Sequence, residues 1–223
     1  MFKKYILNQY FFNFKNILLK KSSSKELSEN GYIKCEKRFS FQNLDLQKYL
    51  NYKNFDFVDC KKKIDDDDLK KIYLKLKSYG IIKILKDYLG NKIFCYDNSI
   101  FTLGKETAKN SAWQPHHDTK GARLKIYIWL DNKNLFTHPL YYLQKSHKNI
   151  KKWKNYSGTR FPDLHVDKFD TIFGDMGDII IFDTHGIHSH YKTSTVPRSV
   201  IELTFEPFGL INRLSSKNIE KET

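Results

Sequence analysis

A mainly β fold with flanking α-helices is the class this chain predicts, on three observations. From Ile93 to Phe205 strand-like apolar runs dominate, several of them alternating with polar residues. Helical patterns are concentrated upstream and end at Leu89. The run Ile179-Ile180-Ile181-Phe182, entered through Gly177-Asp178, has the length of a buried strand. With 223 residues and 15% aromatic side chains, the chain suits one domain with a sizeable core.

Residues 1–21 read as an N-terminal helical arm, 22–211 as the single folded domain, and 212–223 as a polar tail. In the arm, Phe2 to Leu19 is apolar-rich with basic ends, and Phe11, Phe12, Phe14, Ile17 and Leu18 supply its sticky side. Asn8, Gln9, Asn13 and Lys15 interrupt it too often for a signal peptide or a spanning helix. That face packs on the domain or a partner, with peripheral membrane contact as the alternative. Ser22-Ser23-Ser24 breaks the arm and caps a helix over Lys25 to Asn30, which Gly31 terminates.

Asp65 to Asp68 precedes a helix through Leu76. Four acids in a row resemble a metal site, but at a helix N-terminus they more simply complement the helix dipole. A second helix, Ile81 to Leu89, stops at Gly90-Asn91, and two short strands, Ile93 to Tyr96 and Ile100 to Leu103, follow. Leu124 to Leu130, Leu140 to Leu143, Ile179 to Phe182 and Arg198 to Phe205 read as further strands. The polar stretch 151–170 reads as a lid or insertion over a pocket mouth, carrying Arg160, Phe161 and His165. Arg160 is the substrate candidate there, against the simpler reading of a solvated loop.

Charge and cysteines bound the function class. A net charge of +14 invites a nucleic-acid partner, because clustered cations bind phosphate by counterion release. The lysines are dispersed, however, and only Lys61-Lys62-Lys63 exceeds a pair, which disfavours nucleic acid and favours a small-molecule substrate. Cys35, Cys60 and Cys95 form no C-x-x-C and no disulfide framework, as in a reducing cytoplasm.

His116-His117-Asp118, followed by His188 and Arg198, carries the chemistry. In an extended strand alternate side chains share a face, so His116 and Asp118 point one way and His117 the other. With His188 from a distant strand they form a two-histidine, one-carboxylate set that can hold Fe(II) while leaving positions open for a cosubstrate and O2. Arg198 opens another strand, and its planar fork suits the carboxylate of a dicarboxylate such as 2-oxoglutarate.

Three segments resemble the phytanoyl-CoA dioxygenase family of Fe(II)/2-oxoglutarate oxygenases. They are Trp113-Gln114-Pro115-His116, Leu140 to Lys148, and Gly177-Asp178 through His188 to Arg198. The resemblance extends upstream to Leu27 to Ile33 and covers roughly residues 24 to 206. It implies a double-stranded β-helix, a jelly-roll or cupin-like barrel of two facing antiparallel sheets, with His116, Asp118 and His188 as metal ligands. It also implies Arg198 as the grip on the far carboxylate of 2-oxoglutarate, Trp129 as a pocket residue beside it, and hydroxylation in preference to halogenation, since Asp118 is retained. Two departures stand out. The family's turn reads Pro-Gly-Ser-His where this chain has Leu143-Gln144-Lys145-Ser146-His147, so the glycine is absent. A small hydroxyl residue often sits two positions after the distal histidine, whereas here Ser189 comes one after and His190 two after, leaving both as candidates for the cosubstrate contact.

Alternation assigns further pocket residues. If Trp129 faces inward, so do Lys125 and Tyr127, and an inward Arg198 brings Val200, Glu202 and Thr204 with it. Isolated buried charge is costly, so Lys125 and Glu202 either pair or meet an anionic group of the substrate. The reading of the whole chain is a dioxygenase that hydroxylates a small-molecule or lipid-like substrate and releases succinate and CO2. The alternatives are a nucleic-acid- or protein-modifying oxygenase, and a non-catalytic metal- or ligand-binding barrel.

Overall fold

The computed structural model describes residues 25–50, 60–103, 114–119, 123–132, 139–148, 157–190 and 198–207. The expected arm and tail lie outside the described residues.

Two antiparallel sheets build the domain. Helix α1 (Lys25–Asn30) leads into β1 (Tyr32–Cys35); β2 (Cys60–Lys63), α2 (Asp66–Ser78) and α3 (Ile81–Leu89) follow. Then come β3 (Ile93–Leu103), β4 (His116–Thr119), β5 (Leu124–Trp129), β6 (Leu140–Tyr142), β7 (Ser157–Arg160), β8 (Asp170–Ile172), β9 (Ile179–Asp183), β10 (His188–Ser189) and β11 (Arg198–Pro207). One sheet has the order β1-β9-β5-β11-β3-β2 and the other β7-β4-β10-β6-β8. The sequence expectation of a double-stranded β-helix is met.

Period-two patterning divides the first sheet between two cores. Ile126, Ile128, Ile179, Ile181, Ile201 and Leu203 pack with Leu69, Ile72, Leu76, Ile81 and Leu85, which places α2 and α3 on the outer face. The alternate residues Tyr127, Trp129, Ile180, Phe182 and Val200 pack with Leu140, Tyr142 and Ile172 of the second sheet, filling the space between the sheets. A third cluster, Tyr141, Phe169 and Ile187 with Phe161, Leu164 and Val166, covers the outside of the second sheet.

Local chemistry sets the ends. Gly31 adopts φ +91° and donates its N–H to Leu27 O at 2.9 Å, terminating α1 as expected. Asp65 caps α2, its carboxylate accepting the Asp68 N–H at 2.9 Å, with Asp66, Asp67 and Asp68 in the first turn and Lys75 and Lys77 in the last. The acidic run therefore serves a helix end.

Two expectations need correction. Ile93 to Leu103 is one strand where the sequence suggested two, because Asp97, Asn98 and Ser99 stay in the ladder opposite Thr204, Leu203 and Glu202. A register shift between Thr204 and Phe205 leaves Tyr96 as the extra residue of a bulge. The stretch expected to be a lid or insertion, residues 151–170, is in part sheet: Ser157–Arg160 form β7, paired with β4, and β8 starts at Asp170, with a loop and a 3-10 turn at Val166–Lys168 between them.

The missing turn glycine leaves a trace. Lys145 holds φ +63°, a left-handed conformation that costs an L side chain about 1 kcal/mol. The turn is kept by Lys145 N–H to Asn30 O at 3.1 Å and by Ser146, whose hydroxyl donates to Leu143 O and accepts the Ile187 N–H at 2.8 Å. Lys145→Gly relieves the strain but frees the unfolded chain, so stability should rise by a net of about 0.5 kcal/mol, read as a higher thermal midpoint.

Candidate functional site

The site begins with one strand register. In the second sheet β10 pairs with β4 so that His188 stands opposite His116, their ring centroids 4.5 Å apart. His116 Nδ1 lies 2.7 Å from Gln114 O and His188 Nδ1 lies 2.9 Å from Gly186 O. A carbonyl only accepts, so each Nδ1 carries the proton and each Nε2 presents a lone pair. Both Nε2 atoms face Asp118 Oδ1, at 3.5 Å and 3.6 Å. Among the described residues these three form the group whose donor atoms, all within 4.8 Å of one another, could hold a metal ion. His117 is fully buried with its ring 6.1 Å from Phe161, and it is not part of that group.

The turn between β9 and β10 supports two of the three. Asp118 donates its N–H to Thr184 O at 3.1 Å, and Gly186 supplies the carbonyl that sets the His188 tautomer. Asp183 holds the turn, accepting the His185 N–H at 2.8 Å and the Tyr88 hydroxyl at 2.6 Å. Burial works to raise the Asp183 pKa, but His185 and Tyr88 outweigh it and keep it below the usual carboxylate value. Gly186 is required by contact: a Cβ there would stand 1.8 Å from Tyr142 Oη, which donates to Asp183 O at 2.8 Å.

The opposite wall comes from β5 and β11, where Lys125 pairs in register with Thr204 and Tyr127 with Glu202. Lys125 Nζ lies 2.9 Å from Asp118 Oδ2 and 3.6 Å from Glu202 Oε2. Tyr127 donates its hydroxyl proton to Glu202 Oε2 at 3.0 Å, and Lys61 reaches Glu202 Oε1 at 2.7 Å. The Tyr127 oxygen can then accept from His190 Nε2 at 3.1 Å, which leaves His190 Nδ1 to accept from Arg198 Nη2 at 3.3 Å.

Burial works to lower the Lys125 pKa, yet Asp118 and Glu202 prevail and raise it, so the ammonium is charged. Asp118 is held well below the carboxylate range by Lys125 and the two imidazoles, against its own desolvation. Burial pushes His188 down to about 3, keeping the imidazole neutral and able to ligate at neutral pH.

These groups surround a cavity of about 320 Å³. Of the residues singled out by sequence, His116, Asp118, His188, His190, Lys125, Tyr127, Arg160 and Glu202 line it, and so does His117, which the strand period turned away from the site. Arg160 is exposed on β7, opposite His116. Arg198 is 1% exposed and sits behind His190, with its guanidinium carbon 5.7 Å from the Trp129 ring centre. Its Nε and Nη1 are buried without a hydrogen-bond partner among the described residues. Ser189 is fully buried and is not in the cavity wall, whereas His190 is. Sequence reasoning missed Lys61 and Phe101, which also line the cavity. Lys61 stood in the one lysine run, but nothing local says that β2 pairs with β3 at this sheet edge.

No protein-family model matches the chain, and no curated protein matches it. Solved structures do. Apo HygX from Streptomyces hygroscopicus is similar at TM-score 0.58 and 11% identity, over 92% of this chain and 100% of that one. SnoK, described as a non-heme alpha ketoglutarate dependent carbocyclase from nogalamycin biosynthesis, is similar at TM-score 0.56 and 15% identity, over 90% of this chain and 93% of that one. The epimerase SnoN, solved with Fe3+, alpha ketoglutarate and nogalamycin RO, is similar at TM-score 0.52 and 11% identity, over 82% of each chain. This chain spans 50% of the EvdMO1 chain that it also matches. At these identities the likeness establishes a shared barrel fold.

Gly186→Ala tests the turn: Tyr142 must move, so unfolding free energy should fall by about 1–3 kcal/mol, read as a lower denaturant midpoint.

Proposed function

We propose that the chain is an Fe(II)/2-oxoglutarate-dependent dioxygenase that hydroxylates a small molecule. One observation carries this reading: three convergent donor atoms line a cavity whose wall leads, through His190, to a buried arginine with two nitrogens that have no partner among the described residues. The donor set fits a divalent iron, with the Nδ1 of each imidazole engaged by a carbonyl so that Nε2 is the ligating atom, and with one ionised carboxylate. Arg198 fits an anionic cosubstrate, because a buried guanidinium with free N–H groups is costly until a carboxylate meets them. A barrel that only stored metal would have no use for that arginine.

When bound, iron with 2-oxoglutarate and O2 supplies the oxidising chemistry, the cosubstrate leaving as succinate and CO2 while hydroxyl is added to a substrate C–H. The residues of the chain do the positioning. His116 and His188 would hold the iron through Nε2 and Asp118 through Oδ1. Arg198, backed by Trp129, anchors the far carboxylate, and His190 takes the supporting place for which Ser189 was the other candidate. Phe101 gives the cavity wall an apolar face that limits water, and Phe182, its ring centre 5.3 Å from that of His188, packs against that ligand from the core.

The cavity volume lies at the small end of ligand pockets, which supports a small-molecule substrate, as does the ligand in SnoN. Lys125 already has two carboxylate partners, so an anionic group on the substrate would more readily meet Arg160 at the rim. Kinship with the phytanoyl-CoA dioxygenases rests on the sequence motifs. A reducing cytoplasmic setting is supported by the free thiols Cys35 and Cys95. No described helix is long and apolar enough to cross a membrane.

The purified chain should form succinate from 2-oxoglutarate in the presence of Fe(II) and O2, and absence of any such formation rejects the assignment. His116→Ala and His188→Ala should each lose stoichiometric iron binding, whereas His117→Ala should retain it while losing stability, since that ring is buried. Arg198→Lys should bind iron normally and raise the 2-oxoglutarate KM on the order of tenfold or more, because an ammonium lacks the two-pronged fork.

A further inference from the structure

The two oxygens of Asp118 do different things. Oδ1 faces His116 Nε2 at 3.5 Å and His188 Nε2 at 3.6 Å, while Oδ2 faces Lys125 Nζ at 2.9 Å. Lys125 comes from β5, across the barrel from β4, and is held on its other side by Glu202 at 3.6 Å. Glu202 is fixed in turn by Tyr127 at 3.0 Å and Lys61 at 2.7 Å. The ammonium is thus clamped between two carboxylates, with a side chain only 16% exposed.

We propose that Lys125 is a positioning residue that reserves Asp118 Oδ2, so that Asp118 offers a metal ion one oxygen and an additional coordination position stays open. The inference rests on the metal-binding part of the proposed function. Two imidazoles and one carboxylate oxygen leave a six-coordinate ion three positions, two for a chelating cosubstrate and one for O2. A carboxylate with both oxygens free can bind an ion through both, and would then take one of the three. The ammonium on Oδ2 opposes that rotation. It also sits close enough to repel an incoming cation, so the arrangement lowers metal affinity while it keeps the position open. Removing Lys125 should therefore tighten metal binding, a sign that a purely structural lysine would not give.

Co(II), whose visible absorption reports coordination, is the probe, titrated into the full chain and its Lys125→Met, Lys125→Gln and Lys125→Arg variants. Lys125→Met and Lys125→Gln should bind Co(II) on the order of tenfold or more tightly than wild type, with an altered visible band. 2-Oxoglutarate should then bind their cobalt forms at least several-fold more weakly. Lys125→Arg, which keeps the cation, should stay near wild type. Unchanged or weaker Co(II) affinity in a folded Lys125→Met or Lys125→Gln overturns the proposal. If neither variant folds, the infrared difference spectrum of wild type with and without Co(II) decides: carboxylate stretches split as for one-oxygen binding support it, and a chelating splitting overturns it. A wild-type chain that binds no Co(II) fails at the earlier step, removing the metal reading and the role of Lys125 together.

Discussion

Burial of both faces of the six-stranded sheet is the constraint from which the rest follows. On β5, β9 and β11 one set of alternate residues packs against α2 and α3, and the other set must fill the barrel. Where the inward set is apolar, as with Trp129, Phe182 and Val200, it forms core. Where it is polar, as with Lys125, Tyr127, Glu202 and Arg198, burial makes an unpaired group costly, which favours partners within the barrel. The network from Lys61 through Glu202 to Lys125 and Asp118, with its branch through Tyr127 and His190 to Arg198, is the result.

That network has an asymmetry that bears on function. The carboxylates Asp118 and Glu202 are both met by lysine, whereas among the described residues Arg198 has an imidazole on Nη2 and no partner on Nε and Nη1. Buried cations are normally matched by anions of the protein. An arginine left short of one among the described residues is the observation behind the proposed cosubstrate grip. Its pKa, lowered to about 10 by burial, expresses the same deficit.

Rigidity at the metal group comes from backbone more than from side chains. The turn from Asp183 to Ile187 contributes Thr184 O to Asp118 and Gly186 O to His188, and it is tied to α3 by Tyr88 and to β6 by Tyr142. The Ser146 hydroxyl bridges the turn to the next loop by accepting the Ile187 N–H. Donor groups set on a strand pair and braced by a turn of this kind would lose little freedom on binding a metal, as a preorganised site requires.

Much of this was legible in the sequence because strand alternation is local. The spacing of His116 and Asp118 alone put them on one face, and the same rule turned Lys125, Tyr127 and Glu202 inward. The helix ends at Gly31 and at Asp65 were likewise written in residues a few positions apart. Pairing across the barrel was not. That β2 lies at the sheet edge with Lys61 in the cavity, that His190 reaches Arg198, and that β3 runs unbroken past Asp97 depend on register between distant segments. The sequence alone determined which side chains leave the same face of a strand, through the fixed two-residue period of the extended chain. Only the tertiary structure decided which of them meet, because contacts between strands far apart in sequence are set by how the two sheets close on one another.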